Sequence, residues 1–206
     1  VAFDRSVGVL RKGLRDLGIA DNTLVWFCSD NGGLSKIVPD TVGGLRGYKG
    51  SVWEGGLRVP GIIEWPSTIK PRITHYPAST MDIFPTIVDI LDLPESVLLE
   101  PIDGISLNPL FDNDLGRRKQ PIPFRFGGKG ALVDNDYKLV ATSIKNEAFA
   151  LYNLKNDPTE SKDISKKSPE IFNKMKSAFE KWNALVHASV TGKDYPEGKV
   201  NPGEPE

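Results

Sequence analysis

Val7, Leu10, Leu14 and Leu17 recur at helical spacing, with Arg11, Lys12, Arg15 and Asp16 between them. That pattern predicts an amphipathic helix from Asp4 to Leu17, which Gly18 stops. Asp21-Asn22 then turns the chain into Thr23 to Cys28, a near-continuous apolar run that suits a strand covered on both faces. Strand pattern returns from Leu57 to Trp65. Helix pattern follows from Thr80 to Leu93, with Ile83, Ile87, Ile90 and Leu91 on one side, Ser79 or Thr80 as cap and Pro94 as terminator. Pro85 sits near the first turn, where proline is tolerated. Helix followed by buried strand is an α/β signature.

Prolines and turn pairs such as Asp103-Gly104 dominate from Leu93 to Pro123, which places a subdomain boundary around Leu115 to Gln120. The texture beyond it is one of short strands: Ala131 to Val133, Tyr137 to Thr142 after the Asp134-Asn135-Asp136 turn, and Ala148 to Leu154. Pro169 to Ala188 reads as a helix capped by Ser168. Its stripe of Ile171, Met175, Ala178, Phe179, Trp182 and Leu185 is core rather than a ligand platform. After Gly192 a Pro-, Gly- and Glu-rich tail is expected to be loose. The resulting division is 1–115, an α/β part, and 116–206, a small antiparallel sheet with a helix packed on it.

Composition narrows the function. With 206 residues, 39% hydrophobic and 26% charged, the chain is globular material for one large or two small domains. Lys+Arg 26 against Asp+Glu 27, with no basic tract, argues against nucleic acid as a partner. The longest apolar stretches are far too short to cross a bilayer, so no membrane span is expected. Cys28, the only cysteine, allows no intrachain disulfide and reads as packing. The start, Val1-Ala2-Phe3, has neither an initiating Met nor a signal-peptide pattern and reads as a piece of a longer chain.

Trp26 to Gly33, WFCSDNGG, is where chemistry could begin. One reading is a buried strand that delivers the Asp30 carboxylate and the Asn31 amide to a loop. The other is a strand that ends in an ordinary Asp-Asn-Gly turn. From Gly32 to Gly56 the chain is rich in glycine and has little periodicity, which implies a long loop, and loops that long usually have a function.

Joined to Gly47-Tyr48-Lys49-Gly50-Ser51-Val52-Trp53-Glu54-Gly55-Gly56-Leu57-Arg58-Val59-Pro60, the Ser29-Asp30-Asn31-Gly32 segment resembles the paired motifs of the type I sulfatases. Asp4-Arg5-Ser6-Val7-Gly8 is similar to a family segment as well. So is Leu151-Tyr152-Asn153-Leu154 with Asn156-Asp157-Pro158 and Glu160. The resemblance spans nearly the whole chain and leans towards arylsulfatases and N-acetylgalactosamine-6-sulfatases. It implies an alkaline-phosphatase-like α/β core, of which this chain is the C-terminal part, followed by the small antiparallel-sheet plus helix subdomain. Export to a periplasm, lysosome or exterior is usual for the family.

For the site, the resemblance implies that Asp30 and Asn31 supply two oxygen ligands to calcium, and oxygen-only ligation is what a hard cation requires. Lys49 falls on the lysine that contacts the substrate sulfate, where its point charge with three donors meets the charge that builds as the ester bond breaks. A nucleotide loop is excluded, because G-x-x-x-x-G-K-[ST] needs Gly directly before Lys and Tyr48 stands there. Glu54 could orient the loop and Arg58 could pair with a carboxylate. Structural roles are expected for both, and Trp53 is left open with them. His75 and His187 lie in no family motif and are read as surface or packing residues.

The family's nucleophile signature, C-x-P-S-x-R or its serine form, which carries the formylglycine, is not in this chain. The remaining metal carboxylates and leaving-group residues are expected upstream with it. The chain alone should therefore bind calcium weakly and hydrolyse no sulfate ester. Two functions compete: part of a sulfuric-ester hydrolase that works with the upstream half, or a non-catalytic scaffold or binding module derived from the same fold.

Overall fold

The computed structural model describes residues 2–194. The expected loose tail after Gly192 lies, beyond residue 194, outside the described residues. The chain forms two compact units. One takes the residues up to Asp30 together with Val59–Gly116, and the other takes Asn31–Arg58 together with the chain from Arg117 onward. The glycine-rich stretch that the sequence places within 1–115 is thus grouped with the C-terminal strands.

In the first unit, helix α1 (Ala2–Asp16) precedes strand β1 (Val25–Cys28), which pairs antiparallel with β2 (Gly61–Glu64) in the register Val25 to Glu64 and Cys28 to Gly61. Arg11 of α1 grips Glu64 through two contacts of 2.7 Å, and the rings of Phe3 and Phe27 lie 5.4 Å apart. Full burial of β1 on both faces was expected, but all four of its residues are only half-buried. The α1 helix buries no residue, and Val9, Leu10 and Leu17 are exposed. Apolar patterning predicted the elements correctly and their cover too generously, because this two-stranded ribbon supplies little surface to close over them.

The predicted Thr80 to Leu93 helix is a 3₁₀ turn, Thr80–Asp82, running into α3 (Ile83–Ile90). Buried Asp82 organises it. Its carboxylate accepts the amides of Ser79 (2.8 Å) and Ile105 (2.9 Å), and the Thr86 hydroxyl accepts the Leu107 amide at 2.8 Å. The Asp103-Gly104 turn is drawn so close that a Cβ on Gly104 would stand 2.0 Å from the Met81 carbonyl oxygen.

The second unit holds the expected small antiparallel sheet, with one strand more than the pattern predicts. It is a meander of β3 (Ile122–Phe126), β4 (Lys129–Asp134), β5 (Tyr137–Ser143) and β6 (Ala148–Asn153), followed by α4 (Pro169–Val190). Successive residues point to opposite faces. Leu132, Leu139, Ala141 and Leu151 meet Met175 and Phe179 of α4. Ala131, Val140 and Tyr152 meet Val52, Trp53 and Leu57 on the other face. Part of the long loop is therefore the cover of the sheet's second face, and that is why the strands carry runs such as Ala131-Leu132-Val133 instead of clean alternation.

Phe179 is 1% exposed, and its ring so fills the space over β4 that a Cβ on Gly130 would lie 2.3 Å from its Cζ. Phe179→Ala should lower stability by about 3–5 kcal/mol, read as a shifted urea midpoint with unchanged slope. Gly130→Ala should destabilise by overpacking the same spot. Wild-type midpoints for both would refute this packing.

Candidate functional site

Segments 31–33, 46–51 and the short helix α2 (Glu54–Leu57) lie in the second unit and are woven together by backbone hydrogen bonds. The Gly32 amide donates to Gly56 O at 2.9 Å, the Lys49 amide to Gly33 O at 2.9 Å, and the Gly55 amide to Arg46 O at 2.7 Å. A Cβ on Gly32 would stand 2.0 Å from Gly55 O, and one on Gly55 2.2 Å from Gly47 O. Backbone approaches backbone here, and only glycine permits it. This accounts for Gly32, Gly55 and Gly56, whereas Gly43 and Gly44 face open space at positive φ.

Asp30 is exposed at the end of β1 in the first unit. Asn31 is half-buried, and its Nδ2 donates to Gly32 O at 3.0 Å, which orients the side-chain amide. Lys49 is exposed. The Lys49 amide rests on Gly33 O, so Lys49 is separated from Asn31 by one hydrogen bond and two residues of chain. Among the described residues no cluster of three or more His, Cys, Asp or Glu side chains could hold a metal. His75 and His187 are exposed. Arg58 is exposed, its amide bonding Glu54 O at 2.7 Å, and its side chain has no ion-pair partner among the described residues.

Beneath the weave lies a buried cluster that the sequence reading missed. Lys138 of β5 is 0% exposed, and its Nζ lies 2.8 Å from Glu54 Oε1 and 2.9 Å from Glu160 Oε1. The first contact is a hydrogen bond. The second has the distance of an ion pair without a hydrogen bond's angle, so Glu160 Oε1 has a charged neighbour but no directed donor. Glu160 Oε2 accepts the Glu54 amide at 2.7 Å, and Glu160 O accepts Arg46 Nη1 at 2.7 Å. The Arg46 guanidinium lies 3.6 Å over the Trp53 ring, which packs edge-on against Tyr152.

Glu160 reaches this place through the Asn156-Asp157-Pro158 turn. The Asp157 carboxylate accepts the amides of Ser161 (3.1 Å) and Lys162 (2.8 Å), while Glu160 itself sits at φ 53°. A left-handed glutamate is uncommon, and here the surrounding bonds hold it. The available signals were a lone lysine inside the apolar run Tyr137 to Ala141 and the glutamate that closes the last motif.

Burial raises the Glu160 carboxyl above the ordinary 4.5, against the Lys138 charge and the Glu54 amide. The folded protein thus holds this proton more tightly than the unfolded chain does. The stabilisation that follows is complete below the ordinary value and is lost as pH rises through the folded one.

The family model described as Sulfatase matches residues 2–93, and the one described as N-sulphoglucosamine sulphohydrolase, C-terminal, matches residues 48–184. A steryl-sulfatase of Mus musculus is 38% identical over 134 residues, 60% of this chain and 21% of its own. An N-acetylgalactosamine-6-O-sulfatase of Bacteroides thetaiotaomicron is 27% identical over 202 residues, 86% of this chain and 40% of its own. The crystal structure of a sulfatase from Pseudoalteromonas sp. superposes with a TM-score of 0.73 at 26% identity, over 95% of this chain and 42% of that one. The chain spans less than half the length of each. These neighbours carry the alkaline-phosphatase-like fold expected from the sequence.

Lys138→Met leaves two buried carboxylates without their cation and should cost about 3–5 kcal/mol in urea unfolding, whereas Glu160→Gln should cost much less. The Gln variant also lacks the titrating group. Its stability should therefore gain on the wild type as pH is raised from acid to neutral, and an unchanged difference would contradict the raised Glu160 value.

Proposed function

The chain belongs to the sulfatase family, and on that premise we propose that it supplies one side of a sulfuric-ester hydrolase site: Lys49 for the sulfate, Asp30 and Asn31 for a calcium ion. The observation that carries this reading is the weave, which ties the backbone of Lys49 to Gly33 and that of Gly32 to Gly56. A surface lysine in a loop has no need of such support. A cation that must meet a sulfate oxygen does, because preorganised charge is what stabilises a transition state.

The donors fit the ion. The Asp30 carboxylate and Asn31 Oδ1 are hard oxygen ligands, and with calcium taking about six to eight oxygens they provide a minority of the shell. Calcium held there would neutralise charge on the sulfate group and polarise its sulfur towards attack. Lys49 binds and orients the anion and meets the charge that builds on the sulfate group as the ester bond breaks. The remaining ligands and the formylglycine nucleophile belong, in this reading, to the upstream half, so this chain alone binds calcium weakly and does not catalyse. Residues 1–115 are the C-terminal part of the α/β core, and 116–206 are the subdomain that supports the Lys49 loop. Export of the whole protein, as is usual for such enzymes, belongs to the same proposal, and no described helix is long and apolar enough to cross a membrane.

A chromogenic aryl sulfate tests the reading in the protein that contains both halves. Lys49→Ala and Asp30→Ala should each lower turnover by about 10²- to 10³-fold, and chelation of calcium should abolish it reversibly. Turnover by residues 1–206 alone would overturn the division of the site between the halves. Wild-type turnover by both variants would overturn the roles given to Lys49 and Asp30, and absence of turnover in the protein with both halves would favour the non-catalytic scaffold.

A further inference from the structure

We propose that Lys138 and Glu160, which lie in the C-terminal sheet and the turn after it, are positioning residues for Lys49, so that the small subdomain sets the geometry of sulfate binding. The inference rests on the assignment of Lys49 to the sulfate.

Adhesion alone does not call for these charges. The loop already meets the sheet through Val52, Ala131, Val140 and Tyr152, all buried, with Trp53 and Leu57 beside them. Apolar residues in place of a buried ion pair would hold the two together as well or better, because desolvation of the charges offsets much of their attraction. What the cluster adds is direction. Hydrophobic contact is indifferent to small slides, whereas an ammonium held at 2.8 and 2.9 Å by carboxylates from two chain segments is not.

Each segment around Lys49 is then tied to the cluster by a short path. Glu54, the first residue of α2, is held twice, through its carboxylate by Lys138 and through its amide by Glu160. Gly55 and Gly56 follow within the same turn of helix. Gly55 bonds Arg46, whose guanidinium returns to Glu160 O, and Gly56 bonds Gly32, beside Gly33, on which the Lys49 amide rests. Lys49 therefore hangs in a closed loop of backbone bonds whose fixed points are Lys138 and Glu160. A shift of one of them moves the lysine backbone without touching the anion.

The test uses the protein with both halves and two probes, a chromogenic aryl sulfate for KM and kcat and inorganic sulfate for its inhibition constant. An inhibition constant does not depend on how much of the enzyme is folded, so simple loss of structure leaves it unchanged. Lys138→Met should raise the sulfate inhibition constant and KM by about 10- to 100-fold, the range known for partners that orient metal ligands. Glu160→Gln keeps the side-chain volume and an acceptor for the Glu54 amide, so it should fold and shift both constants in the same direction by less. It carries the test if Lys138→Met does not fold. Lys49→Ala is the control. If it leaves the sulfate inhibition constant unchanged, the assignment of Lys49 itself fails. If it raises that constant while every folded variant at 138 and 160 binds sulfate as the wild type does, the positioning role is refuted and the cluster serves stability alone.

Discussion

One ammonium group placed between two carboxylates, with no solvent access, is the constraint around which the second unit is organised. Lys138 is 0% exposed, and its partners Glu54 and Glu160 are 7% and 0% exposed. Ions in such a place are tolerated only when geometry and neighbouring donors compensate their lost hydration. That requirement reaches outward. It obliges α2 to present Glu54 to the sheet, the turn after β6 to deliver Glu160 at φ 53°, and Arg46 to close over the top. It also places the loop's own backbone within hydrogen-bond distance of itself, where glycine becomes compulsory at 32 and 55.

The arrangement explains a division of labour on the sheet. The face towards α4 has an apolar core, built from Leu132, Leu139, Ala141 and Leu151 with Phe179 and Met175. The face towards the loop mixes apolar contact with the ion cluster. An apolar face gives affinity without register, whereas the charged contact gives register at some cost in stability. It is the face with register that carries the segment of Lys49.

The first unit is organised by a quieter device of the same kind. Buried Asp82 accepts amides from Ser79 and Ile105 and so fastens the start of α3 to the turn at Gly104. Elsewhere in that unit apolar side chains such as Phe3, Val9, Ile62 and Phe84 are exposed. The patterning of α1 and β1 is that of elements meant for more cover than these residues provide, in a chain that spans less than half of its relatives.

Much was legible in the amino-acid sequence, because local periodicity and motif order are local properties. The helices of α1 and α4, strands β1 and β4 to β6, the family, and the candidates Asp30, Asn31 and Lys49 follow from residues close together in the chain. Strand β3 was not legible, since Ile122-Pro123-Phe124-Arg125-Phe126 has a proline within it and gains its standing only by pairing with β4. Neither the half-burial of β1 nor the covering of the sheet's second face by residues 46–58 could be read, because burial depends on what packs above a residue and not on the residue itself. Lys138 is the plainest case. From its neighbours it is a lysine in an apolar strand, and only the tertiary structure brings to it Glu54, 84 positions away, and Glu160, turning an anomaly of pattern into the fixed point of a loop.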